Sequence, residues 1–193
     1  AIATLEAAVP TSTVGINHAY RPQLSIQPAE TLDYANKIMQ WREDGCLAQV
    51  PVGIIDTGID TAAPELASAK VITRAFFNGQ AARARHGTDI ASILADPSRL
   101  KNVTIYGANV FGQRDSKGPK AGADALVRAL DWLTEENVRF VNLSLAGPYN
   151  KLLDLAVERA LARGLILVAA VGNDGPEVEP LYPAGFNSVI AVT

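Results

Sequence analysis

The stretch VPVGIIDTG, residues 50–58, decides how this sequence is expected to fold. Its first six residues form a short apolar run, and the Asp56-Thr57-Gly58 that closes the run is typical of a turn. A run of this length that ends in turn residues predicts a buried strand. The polar side chain of Asp56 is then expected at the carboxyl end of that strand.

Apolar runs alternate with helical patterns on both sides of this stretch. The pattern predicts further strands at residues 70–76, 103–110, 138–143, 165–171 and 188–192. It predicts helices at residues 87–94, 121–133 and 152–162, the last of which Gly164 would end as a C-cap. Strands separated by helices of this length indicate βαβ units. The sequence therefore predicts an α/β fold, with a parallel sheet that helices cover on both faces.

The N-terminal part of the chain has a different character. Residues 1–29 show little periodicity and contain several prolines, so we interpret them as an extended arm. A helical face predicts a helix from residue 30 to about residue 41. We divide the chain into residues 1–45, an arm and first helix whose role the sequence leaves open, and residues 46–193, an α/β domain.

The composition excludes several classes of protein. The 193 residues are 48% hydrophobic and 19% charged, which is typical of a single globular domain. The net charge is −3, and the basic residues form no contiguous block. Neither nucleic acid nor a membrane is therefore expected as a partner. The single cysteine excludes an intrachain disulfide. No signal peptide is visible at the start of the chain.

Polar residues close several of the apolar runs. Asp56, Ser144 and Asn173 would lie at the carboxyl ends of strands, where sites gather in parallel sheets. His86 stands at the start of a predicted helix. Taken singly, each has an ordinary structural interpretation: Asp56 and Asn173 suit turns, and a lone histidine is more often a surface or cap residue than a base.

The order of the motifs is more specific than any one of them. The chain carries VGIIDTGID at residues 52–60, HGT at 86–88, VNLSLAGP at 141–148, AAVGNDG at 169–175 and YPAGFNSVIAV at 182–192. Together these motifs resemble the subtilisin-like serine protease family over roughly residues 50–193. The resemblance implies a three-layer α/β fold and the N-terminal part of that family's catalytic domain.

The resemblance implies a role for each polar residue. His86 would be the general base and Asp56 would orient its ring, so the two side chains are expected within hydrogen-bond reach. The Asn173 amide would stabilise the oxyanion and is expected to point into the same cleft. One cleft wall, which would bind a peptide or protein substrate as an added strand, would consist of Ser144, Leu145, Ala146 and Gly147. The facing wall would consist of Ala169, Ala170 and Gly172.

The chain departs from the family pattern at several positions. Asp89 stands where the family commonly has a second histidine, and its carboxylate is expected to raise the pKa of His86. Ala146 stands where the family usually has glycine, and its methyl group is expected to narrow the cleft. Residues 63–66 read APEL where the family has His-Pro-Asp-Leu. We therefore expect no dedicated calcium, although calcium is possible by family, and no other cofactor or metal.

The largest departure is the nucleophile. In the family the serine follows well downstream of the YPA motif, and the chain stops at Thr193 before such a segment. The sequence thus predicts a C-terminally truncated serine endopeptidase whose triad serine lies beyond this chain, and a chain that is inactive alone. Apolar surface around residues 189–192 is expected to promote self-association or to require a complementing C-terminal fragment. By family resemblance the protein would be secreted or periplasmic.

Two other functions compete with this interpretation. A catalytically inactive peptide-binding module would keep the fold and use the cleft only for binding. A nucleotide-binding domain is disfavoured, because no glycine-rich phosphate motif follows the first strand. The presence of Asp56, His86 and Asn173 together favours the protease, since a binding module has no chemical need for a base and an oxyanion donor.

Overall fold

The structure is a computed structural model that describes residues 2–23, 44–112, 118–173, 175 and 179–193. Its helices are α1 (Ile2–Ala8), α2 (Arg85–Ala95), α3 (Ala123–Glu135) and α4 (Lys151–Ala162), with a short 3-10 helix at Pro64–Leu66. Its strands are β1 (Ala19–Pro22), β2 (Cys46–Leu47), β3 (Val52–Asp56), β4 (Lys70–Ala75), β5 (Leu100–Lys101), β6 (Thr104–Asn109), β7 (Ala121–Gly122), β8 (Phe140–Leu143), β9 (Leu145–Ala146), β10 (Ile166–Ala170) and β11 (Ile190–Val192). The helix predicted at residues 30–41 lies outside the described residues.

The main sheet has six strands in the order β11-β10-β8-β3-β6-β4, and each neighbouring pair is parallel. Strand β3 lies in the interior of this sheet, between β8 and β6. Because all six strands run the same way, their carboxyl ends share one edge, where Asp56 ends β3 opposite Asn109 of β6. The predicted α/β fold with a parallel sheet is confirmed.

Helices cover both faces of the sheet. Successive side chains of β3 point to opposite faces and reach two different apolar clusters. Ile55 is fully buried in one apolar cluster, together with Leu126 and Leu130 of α3 and Leu153 of α4. Its neighbour Ile54 faces the other way, into a second cluster that includes residues of α2 and the 3-10 helix. The three-layer arrangement that the sequence predicts is therefore confirmed.

The N-terminal arm is more structured than the sequence suggested. Residues 2–8, IATLEAA, form helix α1, because alanine, leucine and glutamate favour a helix and Pro10 follows only after it ends. Residues 19–22 form β1, the central strand of a three-stranded sheet in the order β7-β1-β9. The interpretation of the arm as wholly extended was therefore wrong for α1.

The edge strand β11 leaves apolar side chains in contact with solvent. Ile190 is 53% exposed and Val192 is 49% exposed, and Phe140 of β8 is 42% exposed.

An apolar groove of about 550 Å³ lies beside α2, with Ile90 and Phe140 among its lining residues. Within the described residues, none of the helices has the length and hydropathy that crossing a bilayer requires.

Candidate active site

Asp56 is a fully buried carboxylate at the carboxyl end of β3. Its Oδ1 accepts a hydrogen bond of 2.6 Å from the backbone N–H of the next residue, Thr57. Its Oδ2 is also buried and has no hydrogen-bond partner among the described residues. A buried carboxylate of this kind is stabilised by a nearby positive charge, since little solvent reaches it.

His86 supplies the partner that this carboxylate requires. It is the second residue of α2, and its Nδ1 lies 2.7 Å from Oδ1 of Asp56. Because an ionised carboxylate only accepts, Nδ1 carries the proton and donates it to Asp56. The side chain of His86 is 12% exposed, whereas that of Asp56 is 0% exposed. The expected hydrogen-bond reach between the two residues is present.

Backbone contacts between the two motifs hold this pair together. The N–H of Gly87 donates to the hydroxyl of Thr57 over 2.8 Å. One residue further along α2, Thr88 Oγ1 accepts a 2.9 Å hydrogen bond from the N–H of Asp60. A Cβ on Gly87 would lie 2.4 Å from the carbonyl oxygen of Thr57, so only glycine allows this approach. These positioning roles of Thr57, Gly87 and Thr88 were not identified from the sequence, although all three lie inside the motifs.

Opposing effects of its surroundings set the pKa of His86. Burial of His86 opposes its charge, but the hydrogen bond and the negative charge of Asp56 outweigh this and raise the pKa of His86. The backbone carbonyl of Gln23 and the carboxylate of Asp89 raise it further. The expected effect of Asp89 is thus present, and it is smaller than that of Asp56. Asp89 is itself exposed and lies 3.8 Å from Arg85, which partly offsets its charge.

The first predicted cleft wall is a short strand with a partner on one side. Leu145 and Ala146 form β9, and both are buried. Ser144 precedes them and accepts from the amide of Asn142 over 2.8 Å. Gly147 follows them and exchanges two backbone hydrogen bonds with Tyr182, of 3.0 and 2.8 Å. The YPA motif therefore holds the end of this wall in place.

The second predicted wall lies at the end of β10. Ala169 and Ala170 are the last residues of that strand, and Gly172 follows with φ of +102°. A Cβ on Gly172 would also lie 2.7 Å from Cδ1 of Leu181, so this turn requires glycine. Asn173 comes next and is exposed. The orientation of its amide toward His86 stays a prediction.

The described residues contain no group of three or more histidine, cysteine, aspartate or glutamate side chains that would hold a metal ion. The groups that the structure brings together at this edge of the sheet are a carboxylate, an imidazole and backbone hydrogen-bonding groups, which can transfer a proton and form hydrogen bonds. The absence of calcium stays an expectation.

Comparison with known proteins identifies the family. A sequence profile described as the subtilase family matches residues 48–193. The chain is 34% identical over 160 residues to subtilisin DY of Bacillus licheniformis. The aligned region covers 75% of this chain and 56% of that protein. It is 28% identical over 162 residues to the major intracellular serine protease of Bacillus subtilis (strain 168), with 74% and 50% covered.

The fold agrees with this match. The structure is similar to fervidolysin from Fervidobacterium pennivorans, described as a keratinolytic enzyme related to subtilisin, with a TM-score of 0.61 at 20% identity. That match covers 80% of this chain and 25% of fervidolysin. The chain spans about half the length of these two curated relatives. The profile, the relatives and the fold agree, and the chain belongs to the subtilase family.

Proposed function

We propose that this chain supplies the acid–base half of a serine endopeptidase, whose serine lies outside the 193 residues. The single observation that carries the proposal is the 2.7 Å hydrogen bond between Nδ1 of His86 and a carboxylate, Asp56, that is fully buried. A surface salt bridge would leave both side chains exposed, whereas here the carboxylate is fully buried and the side chain of His86 is 12% exposed. Membership of the subtilase family supports the same reaction.

In the proposed reaction, His86 transfers the protons. With Nδ1–H fixed on Asp56, the lone pair of Nε2 takes the proton of the serine hydroxyl as its oxygen attacks the substrate carbonyl carbon. The resulting imidazolium is stabilised by Asp56. It then gives the proton to the departing amine as the C–N bond breaks, and a water molecule hydrolyses the acyl-enzyme in the same way.

The walls of the cleft would place the substrate. In this structure Arg21 and Pro22 pair with β9. An extended peptide that took their place would pair with Ser144 to Ala146 as an added strand. Ala169 and Ala170, at the end of β10, and Gly172, just after it, would face that peptide, and their small size would leave room for a substrate side chain. The amide of Asn173 would donate to the oxyanion that forms on attack.

A catalytically inactive peptide-binding module is the second candidate, and one observation favours it. Strand β9 already accepts a neighbouring strand through backbone hydrogen bonds, so the wall binds extended chain without any chemistry. The buried Asp56–His86 pair still favours the protease, because strand pairing alone does not require it.

A serine-directed fluorophosphonate probe separates the two candidates. We expect the full-length protein to be labelled on a serine outside this chain and to lose labelling when His86 is replaced by alanine. The 193-residue chain alone is expected to stay unlabelled. A full-length protein that binds peptide but never reacts with the probe would favour the binding module.

The exposed apolar side chains of Phe140, Ile190 and Val192 support self-association or the binding of a complementing fragment. Secretion or a periplasmic location rests on the family alone, and one relative is named as an intracellular protease. We propose that no dedicated calcium is needed, because residues 63–66 read APEL where the family has His-Pro-Asp-Leu.

A further inference from the structure

The chain contains one asparagine that is followed by glycine, Asn78. It lies in the loop between β4 and α2, where both Asn78 and Gly79 are exposed. Gly79 has φ of +94°, a conformation that favours glycine. A Cβ added to Gly79 would meet no atom of the described residues within 4 Å. The backbone at this pair is therefore open to solvent and sterically unobstructed.

These properties favour deamidation of Asn78 by the backbone nitrogen that follows it. The nitrogen of Gly79 attacks Cγ of Asn78, so that an N–Cγ bond forms and the Cγ–Nδ2 bond breaks. The amide proton leaves with Nδ2 as ammonia, and a cyclic imide remains. Water then opens the imide at either of its carbonyl carbons. One opening gives aspartate, and the other gives a β-linked aspartate, whose backbone is longer by a methylene group.

Two other exposed asparagines lack this combination. Asn102 and Asn137 are exposed and have φ of +56° and +57°. Each precedes a valine, whose β-branched side chain hinders attack by its own backbone nitrogen. Val103 and Val138 are also buried, which restricts the rotation that the attack requires. Exposure of an asparagine is thus not sufficient, and Asn78 differs from these two in the residue that follows.

The loop that carries Asn78 is fixed at both ends. Before Asn78, the N–H of Phe76 donates to the carbonyl oxygen of Asn109 over 2.8 Å. After it, the N–H of Ala82 donates to the carbonyl oxygen of Phe111 over 3.1 Å. A methylene group inserted into the backbone between these two bonds lengthens the path from one to the other. The loop must then bulge, or it must give up one of the bonds.

The same loop leads into the helix of the proposed base. Ala84 is the N-cap of α2, and its carbonyl oxygen accepts from the N–H of Thr88 over 3.1 Å and from its hydroxyl over 2.6 Å. His86 lies in this first turn. A loop that shifts just before Ala84 therefore acts on the turn that holds the ring of His86.

We propose that Asn78 is a self-modification site, at which deamidation with β-linkage lengthens the loop and releases the Ala82 hydrogen bond ahead of α2. The reaction consumes only water and requires no partner protein. It goes beyond the proposed function and does not depend on it, because no step involves a serine or a peptide substrate. The product is a form of the chain in which the segment before His86 is less firmly held.

The first measurement follows the deamidated fraction of each asparagine by peptide mapping and mass spectrometry, while the 193-residue chain stands in mildly alkaline buffer. Asn78 should react at least about 10-fold faster than Asn102 and Asn137, a barrier lower by about 1.4 kcal/mol. Gly79→Ala should slow the reaction at Asn78, because the added methyl group lies beside the attacking nitrogen. Equal rates at the three asparagines would overturn the proposal. This comparison is made within the unaltered chain, so it holds even where a variant does not fold.

The second measurement tests the effect on the loop. Hydrogen exchange of the Ala82 amide should be at least about 10-fold faster in the β-linked product than in freshly prepared Asn78→Asp. That variant is the matched control, because it carries the same charge on an ordinary backbone. Equal exchange in the two forms would overturn the claim that β-linkage releases the loop. Neither measurement involves hydrolysis of a peptide, so failure of the proposed function leaves both results intact.

Discussion

The N–H of Gly87 donates to the hydroxyl of Thr57 over 2.8 Å, and this contact ties the first turn of α2 to the turn that ends β3. Each residue is the direct neighbour of one member of the proposed catalytic pair, Asp56 or His86. The proposed reaction assigns no step to either residue. Their contact fixes the distance between the carboxylate and the ring, which is the geometry on which the proposed proton transfer depends.

Substitution of Gly87 by alanine is expected to move His86 away from Asp56. The added Cβ would lie 2.4 Å from the carbonyl oxygen of Thr57 and 2.7 Å from that of Gly58, so α2 has to shift. We expect a loss of about 1–3 kcal/mol in the free energy of unfolding, measured by urea denaturation of this chain. Arg85→Ala, in the same turn with a 90% exposed side chain, is the control and should change little. Equal stability of Gly87→Ala and Arg85→Ala would contradict this account of the turn.

Substitution of Asn173 by alanine tests the oxyanion assignment in the full-length protein. An oxyanion exists only after attack, so the amide should contribute to kcat and hardly to KM. We expect kcat to fall about 10²- to 10³-fold, the range seen for such donors, subtilisin's included. The measurement is steady-state hydrolysis of a chromogenic peptide. An unchanged kcat would show that Asn173 serves only the turn.

The raised pKa of His86 predicts how stability changes with pH. The folded state binds the His86 proton more tightly than the unfolded state, so its contribution is fully present below the unfolded pKa of about 6.5. It is lost as the pH rises through the folded pKa. Thermal melts of this chain should therefore show a decline in stability above about pH 6.5 that His86→Gln lacks. The same decline in both proteins would assign the effect to another group.

The exposed edge of the sheet predicts self-association. Ile190 and Val192 expose about half of their surface on β11, an edge strand with unpaired backbone groups. Sedimentation velocity should show association of this chain that increases with concentration, and Ile190→Lys should reduce it. The matched control is Leu5→Lys on α1, where leucine is 56% exposed. Identical sedimentation of the two variants would show that β11 takes no part in the self-association.

The sequence predicted the main sheet and the pairing of Asp56 with His86 better than it predicted the structure of the N-terminal arm. Runs such as residues 50–55 predict buried strands because both faces of such a strand are apolar. The motifs then indicate that Asp56 and His86 lie at the same edge of the main sheet. Strand β1 gave no such signal, since Ala19, Tyr20, Arg21 and Pro22 neither alternate in polarity nor form an apolar run. Their structure comes from pairing with β7 and β9, which are distant in sequence. Contacts such as that of Gln23 with His86 depend on tertiary structure and could not be read from local pattern.

We propose that His86, whose Nδ1 lies 2.7 Å from Oδ1 of Asp56, activates a serine outside this chain. The decisive measurement is the rate of fluorophosphonate labelling of the full-length protein with and without His86. The account predicts rapid labelling of the unaltered protein, loss of labelling in His86→Ala, and a fall of about 10⁴-fold in Asp56→Asn, where the ring takes the wrong tautomer. Labelling of His86→Ala at the unaltered rate, or stoichiometric labelling of the 193-residue chain on one of its own serines, would contradict it.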